Sequence, residues 1–350
     1  MQKILLNISK YDYGIRQNGL SYEYVNFFNM LKSFNYEVQL FDFPTIMGNV
    51  GKDKMNKELI KAIHEYHPDL IFSLFPPNYY DEKTLRTMKL ISSKSVIWMT
   101  DDEWMWDFFG KKICFYFSNV ITTDAAAVKK YSRIGYNQVI LSQWGANTSL
   151  FKPLNIKKDI DVSFVGSINP WRKYLIEFLK TKGISVVCYG TGWPNGRLDD
   201  QKMVEIFNRS KINLNISNSV QLDLGYLLTI FPPSRYEKSL IRKIYSIFGP
   251  QLHTLLAPKK NDQVKARLFE IAACQSFFLT HYTAGLERFY QMNKEVVVYN
   301  NKNELVQLIK HYLVSENERK TISRFAYLKT VDKYSYKLLF KKILDQILDQ

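Results

Sequence analysis

The chain has 350 residues, 46% of them hydrophobic, and a formal net charge of +15. This length suits two domains of ordinary size, and the hydrophobic content is enough for a core in each. The three cysteines lie far apart without paired spacing, which excludes a disulfide framework and a zinc site. The excess of positive charge indicates an anionic partner, which could be a nucleotide, a nucleic acid or a membrane surface.

Membrane-spanning and secreted classes are not favoured. No uninterrupted apolar stretch reaches the roughly 18 residues of a membrane span. The first apolar run is too short for a signal peptide, and no small-residue cleavage site follows it. We therefore expect a cytoplasmic protein, either soluble or held peripherally at the inner face of the membrane.

Short apolar runs alternate with helical patterns through the first half of the chain. The apolar runs predict strands at 3–8, 37–41, 70–74, 95–99 and 120–122. This alternation favours a parallel sheet with helices on both faces, in which ligands bind at the carboxyl ends of the strands. The loop after the first strand contains glycines but no GxGxxG pattern, so a plain turn is as good an interpretation as a phosphate cradle.

An acidic cluster follows the strand at 95–99. Asp101 and Asp102 come directly after it, and Trp104 and Trp106 follow closely. A sugar could stack on these tryptophans while a carboxylate, Asp101 in preference to Asp102, takes the proton of an acceptor hydroxyl. The alternatives are an acidic first turn of the next helix and a Mg²⁺ site, since carboxylates can hold the ion beside phosphates. We expect no metal.

A loop without periodicity at 151–158 predicts the linker between two domains. The second domain opens with a strand at 162–165, and Gly166 and Ser167 form a tight turn after it. Small residues at a strand end let the backbone approach a phosphate, and Arg172 can add a charge-assisted hydrogen bond. This turn is a candidate phosphate site.

Gly190 and Trp193 follow the next predicted strand, at 185–189. The indole is suited to stacking on a nucleobase. A purely structural turn is an equal alternative.

A helix at 264–273 carries the strongest pattern in the chain. Lys265 and Arg267 fall in its first turn, where cations oppose the helix dipole, so their presence suggests an anionic ligand. Outward amide groups and two cations make a phosphate or diphosphate site. Glu270, one turn later, could then accept hydrogen bonds from ribose hydroxyls, as carboxylates do in dinucleotide-binding folds.

The residues from 161 to 323 resemble the CgeB-like (spore-maturation-type) glycosyltransferases. The resemblance rests on KARLFEIAAC, FFLTHYTAGLERFY, KEVVVYNNKNELVQLIKHYL and ENERKTIS, which occur in the family's order. It implies the GT-B fold, in which two Rossmann-like parallel-sheet domains face a cleft. It also implies that Glu270 binds the ribose of the donor and that Lys265 and Arg267 neutralise its diphosphate.

The family pattern is altered at two places. Retaining GT-B families carry two glutamates separated by seven residues, and this chain has Asp262, seven residues and then Glu270. The family's glycine after Ala-Cys is replaced by Gln275. The stereochemistry of transfer therefore does not follow from the motif.

The segment 219–260 is longer than its counterpart in the family. It contains a basic amphipathic helix at 235–248, which could lie on an anionic membrane, shape an acceptor pocket or simply be half-buried.

The resulting prediction is a metal-independent glycosyltransferase with no cofactor, which uses a nucleotide-diphosphate sugar as donor and a glycan or glycoconjugate as acceptor. Residues 1–155 would form the acceptor-side domain, 156–330 the donor domain, and 331–350 a helix crossing back to the first domain. A sugar-nucleotide epimerase on the same fold is the alternative enzyme class. A basic nucleic-acid-binding module is the non-enzymatic alternative, although no nucleic-acid-binding motif is present and we expect no nucleic-acid partner.

Overall fold

The computed structural model describes residues 1–92, 94–217 and 263–348. The chain forms two compact units, one made of Met1–Asn147 with Lys333–Gln350 and the other of Thr148–Asp332. Asp262, the predicted helix at 235–248 and almost all of the long segment around it lie outside the described residues.

The first unit contains a six-stranded parallel sheet in the order β2-β1-β3-β4-β5-β6. Its strands are β1 Lys3–Ile8, β2 Glu37–Asp42, β3 Leu70–Ser73, β4 Ser95–Met99, β5 Asn119–Thr122 and β6 Val139–Leu141. Every residue of β3, β4 and β5 is buried, as expected for the middle strands of a sheet that is covered on both faces.

The second unit contains a five-stranded parallel sheet in the order β11-β10-β9-β7-β8. Its strands are β7 Ile160–Val165, β8 Val187–Tyr189, β9 Ser210–Asn215, β10 Phe278–His281 and β11 Val297–Tyr299. A parallel α/β sheet in each unit confirms the predicted fold class.

Helices connect the strands of both units. The α-helices are α1 Asn29–Ser33, α2 Phe43–Val50, α3 Lys52–Tyr66, α4 Glu82–Ile91, α5 Asp102–Met105, α6 Lys111–Ile113, α7 Ala125–Arg133, α8 Pro170–Thr181, α9 Asp200–Arg209, α10 Ala266–Ala273, α11 Lys302–Val314, α12 Glu316–Lys333 and α13 Tyr336–Leu348. Shorter 3₁₀ turns lie at Asp12–Gly14, Arg16–Asn18, Cys114–Tyr116 and Leu286–Arg288, and π-helical turns at Tyr24–Phe28 and Trp106–Gly110. No helix in the described ranges is long and apolar enough to cross a membrane.

The C-terminal helix α13 completes the core of the first unit. The buried ring of Phe340 lies 4.9 Å from the ring of Phe27 and 5.8 Å from that of Trp98 on β4. The amide of Tyr336 donates to the carbonyl of Ala146 at 2.9 Å, which fixes the start of the helix. The last helix of the chain is therefore part of a core built largely from its first 147 residues.

Candidate functional site

The turn after β7 is held in place by Arg172. Its guanidinium donates to the carbonyl of Ser167 at 2.8 Å and to the carbonyl of Ile216, just after β9, at 2.7 and 3.1 Å. It also lies over the Phe164 ring, 5.4 Å from the centroid. Burial lowers the pKa of Arg172. Arg172 therefore ties the carboxyl ends of two strands together and holds the Gly166–Ser167 turn in place by hydrogen bonding.

The loops after β7 and β8 pack against each other. The indole of Trp193 donates to the carbonyl of Gly166 at 2.9 Å, and its ring meets the Phe164 ring edge-on at 6.2 Å. Gly190 has a φ of +131°, and a Cβ added there would lie 2.3 Å from the carbonyl oxygen of Gly166. This contact requires glycine. The structure thus brings Gly166, Gly190 and Trp193 together at one edge of the sheet.

Helix α10 begins one residue after Lys265, which is its N-cap and has an extended backbone. No side chain of the described residues caps this helix end. The first amide groups of a helix have no acceptor within the helix itself, which gives this N-terminus the electrostatic character of an anion site.

Arg267 and Glu270 bind each other. The Arg267 guanidinium donates to Oε2 of Glu270 at 2.7 Å and lies over the ring of Phe207. Glu270 is only 2% exposed, and burial raises its pKa, with the Arg267 charge opposing this effect and Asp200 adding to it. The second carboxylate oxygen, Oε1, accepts no hydrogen bond from the described residues. The predicted ribose ligand and one predicted phosphate ligand are thus joined in an ion pair.

Most of the residues predicted to bind the sugar donor lie along one edge of the second unit. Parallel strands end at the same edge of a sheet, and a helix that leads into a strand begins there. The turn after β7, the loop after β8 and the start of α10 therefore share this edge, and the charge of Arg267 acts on Arg172 across it. Asp262 lies outside the described residues.

Asp102 is in the core of the first unit rather than at its surface. Its Oδ2 accepts a hydrogen bond from Thr122 at 2.6 Å, and its Oδ1 accepts one from the Tyr131 hydroxyl at 3.0 Å. The residue has no exposed surface, and burial raises its pKa to about 6. Trp106 packs edge-on against Tyr131 at 4.6 Å. Asp102 and the half-buried Trp106 thus both pack against Tyr131.

Asp101 and Trp104 line a cavity of about 590 Å³ in the first unit. Its walls come from residues that follow β1, β2, β3 and β4, at the carboxyl edge of the sheet, and eight of the lining side chains are aromatic. Tyr13, Trp104 and Phe108 are 85%, 45% and 50% exposed. A ligand in the cavity can therefore stack on exposed aromatic rings.

About half of the chain, comprising most of the second unit and much of α13, matches a known family. Residues 172–345 match the model of the family described as glycosyl transferase-like. The chain is a glycosyltransferase. No curated protein matches it by sequence at a significant level.

Solved structures establish the fold of this glycosyltransferase. Sucrose-phosphate synthase from Thermosynechococcus elongatus is 11% identical with a TM-score of 0.62, and all of each chain is covered. Anabaena HepE, solved with UDP-glucose, is 12% identical with a TM-score of 0.65, again over the whole of both chains. AviGT4, a glycosyltransferase involved in avilamycin A biosynthesis, is 12% identical with a TM-score of 0.58, covering 99% of this chain and 97% of its own. These likenesses show the GT-B fold.

Glu23 is a further candidate site residue that sequence reasoning did not single out. It lines the same cavity as Asp101, where Asp12 contributes a further carboxylate. The sequence held one signal, because Glu23 is the only acid in the segment 22–33, which contains four aromatic residues. That signal gains meaning only when the fold brings the segment to the strand ends.

Metal ligation has no support from the described part of the chain. Within residues 1–92, 94–217 and 263–348, no group of three or more His, Cys, Asp and Glu side chains is arranged to hold a metal ion.

Proposed function

We propose that this glycosyltransferase moves a sugar from a nucleotide-diphosphate sugar to a hydroxyl of a glycan or glycoconjugate, without a metal or cofactor, as a CgeB-like enzyme. The observation that carries the proposal is the set of polar groups at the carboxyl edge of the second unit, within and beside the region 172–345 that matches the family. The fold neighbour HepE, solved with UDP-glucose, supports a donor of this class.

The donor diphosphate would lie between the Gly166–Ser167 turn and the start of α10. The helix amide groups and Lys265 would stabilise the negative charge that grows as the diphosphate leaves. Arg172 supports the turn through its bonds to two carbonyl groups. Oε1 of Glu270 would accept the ribose hydroxyl, since Arg267 binds only Oε2.

The acceptor would bind in the cavity of the first unit, beside Asp101 and Trp104. Aromatic faces stack on the apolar faces of sugars, and carboxylates accept hydrogen bonds from their hydroxyls. A peripheral position at an anionic membrane through 235–248 remains part of the proposal, for an acceptor carried by a membrane glycoconjugate.

The test is the thermal shift caused by UDP, GDP, ADP, dTDP and CMP. We expect one nucleotide to raise the melting temperature by several degrees, because a ligand at about 100 times its Kd adds roughly 2.7 kcal/mol of stability. Lys265→Ala and Glu270→Gln should lose most of this shift. Lys310→Ala, at an exposed site on α11, should keep it. No shift with any nucleotide in well-folded wild type would contradict the proposal.

A further inference from the structure

The cavity of the first unit has the opposite charge to the chain that contains it. The chain carries 48 lysines and arginines against 33 acidic residues. Among the described residues that line it, the cavity nevertheless has three carboxylates, Asp12, Glu23 and Asp101, and no lysine or arginine. A site of this composition repels phosphorylated and carboxylated ligands and favours neutral or cationic ones.

Glu23 is fixed at the entrance of the segment that leads into α1. Ser21 caps this segment, because its hydroxyl accepts from the amide of Tyr24 at 3.0 Å and donates to the carbonyl of Ser9 at 2.5 Å. Glu23 makes no ion pair with a lysine or arginine of the described residues. The Ser21 cap therefore holds in place the backbone that carries Glu23.

The loop before Glu23 has an unusual backbone. Tyr13 has a φ of +54° although it is not glycine, and its ring is largely exposed on the cavity rim. Gly14 follows with a φ of +71°, and a Cβ there would lie 2.6 Å from Cβ of Pro44. Left-handed conformations at residues other than glycine cluster at ligand sites. The loop is thus closely fitted to the wall of the cavity.

We propose that Glu23 is the general base of the transfer and that the cavity around it takes a non-anionic sugar as acceptor. The inference rests on the proposed function. Asp101, the other candidate base on these walls, accepts a hydrogen bond from the Thr100 hydroxyl at 3.0 Å and has a further partner. Asp102 is enclosed by Thr122 and Tyr131.

Burial raises the pKa of Glu23, hydrogen bonding with its own backbone and with Ser21 opposes this effect, and the negative charge of Asp12 adds to it. The other titratable side chains on the cavity walls are Asp101, Tyr13 and Tyr79. A raised pKa makes a carboxylate a stronger base, as suits a general base.

The chemical step is a substitution at the anomeric carbon of the donor. The acceptor oxygen forms a bond to this carbon, and its proton passes to the carboxylate of Glu23. The bond from the anomeric carbon to the diphosphate breaks, and the nucleoside diphosphate leaves with the electron pair. Water in the acceptor position reacts in the same way and gives slow hydrolysis of the donor.

The experiment measures release of nucleoside diphosphate from UDP-glucose, GDP-mannose, ADP-glucose and dTDP-glucose. The acceptors are water alone, methyl glucoside, methyl glucosaminide and methyl glucuronide. Wild type, Glu23→Gln, Glu23→Asp and Glu58→Gln are compared between pH 5 and 9. Glu58 is an exposed glutamate on α3 of the same unit and serves as the matched control.

We expect Glu23→Gln to lower the rate by about 100-fold or more, the typical contribution of a general base. Its nucleotide-induced thermal shift should be unchanged. Wild-type rate should rise with pH through the raised pKa of Glu23, and this rise should disappear in Glu23→Gln. Glu23→Asp should keep part of the rate, and Glu58→Gln all of it. The neutral and amino sugars should outperform the glucuronide.

A Glu23→Gln variant that keeps the wild-type rate and the wild-type pH profile would overturn the assignment of the base. A preference for the glucuronide, or no release with water or any of these sugars from a donor that binds, would overturn the acceptor class. Failure of every nucleotide to bind would instead overturn the proposed function itself, so the two failures are distinguishable.

Discussion

At the scale of single residues, Asp102 couples the stability of the first unit to pH. Burial raises its pKa from 3.8 to about 6, so the native state holds a proton that the unfolded chain has already released. The free energy of unfolding therefore falls as pH rises from about 4 to about 6 and is flat above that window. The loss is roughly 3 kcal/mol, at about 1.4 kcal/mol for each pH unit between the two pKa values.

We predict that Asp102→Asn removes this fall, because an amide carries no charge to bury and can still bond with Thr122 and Tyr131. The measurement is urea unfolding at pH 4.5 and pH 7.5. Asp332→Asn, an exposed site on α12, should behave as wild type. An equal dependence on pH in Asp102→Asn and wild type would show that Asp102 does not carry the effect.

Contacts between residues close in sequence could be predicted, whereas contacts between distant residues could not. The ion pair of Arg267 with Glu270 follows from their spacing of three residues on a helix, and this spacing was visible in the sequence. The burial of Asp102 was not visible, because its partners lie 20 and 29 residues away along the chain. Glu23 was missed because it becomes a candidate site residue only when residues at the ends of β2, β3 and β4 form the cavity with it.

At the scale of elements, the sequence predicted the strands well. Runs such as LIFS in β3 and SVIWM in β4 are short, continuous and apolar, which is the pattern of strands buried on both faces. The segment before α1 was less predictable. The helical stretch that ends in α1 includes a π-helical turn at Tyr24–Phe28, which the apolar pattern alone does not specify.

The loop after β8 depends on the contact of Gly190 with Gly166. We predict that Gly190→Ala costs more stability than Gly196→Ala, although both positions have positive φ. Gly196 has open space around it, so alanine there costs only the roughly 1–2 kcal/mol of left-handed backbone. Alanine at 190 must also push the Gly166 carbonyl away, which should add about 1–3 kcal/mol.

Urea unfolding of the two variants measures this difference, and nucleotide-induced thermal shifts show whether the donor edge is disturbed. Gly190→Ala should weaken the shift and Gly196→Ala should not. Equal destabilisation by the two substitutions would mean that the loop relaxes without moving the turn after β7.

At the scale of the whole molecule, each unit carries its candidate site at the carboxyl edge of its own parallel sheet. The alternating pattern of the sequence predicted this placement in both units. The charge of the chain did not predict the acidic cavity, because a net charge of +15 says nothing about its local distribution. The packing of α13 into the core of the first unit also depends on contacts that span most of the chain, such as Phe340 with Phe27.

The most direct test of the account is product analysis by mass spectrometry. Purified protein is incubated with nucleotide sugars and with methyl glucoside or methyl glucosaminide. We predict release of nucleoside diphosphate together with an acceptor heavier by one sugar residue, and loss of both products in Lys265→Ala. A donor sugar that is converted to its epimer without release of nucleoside diphosphate would contradict the account and would indicate an epimerase.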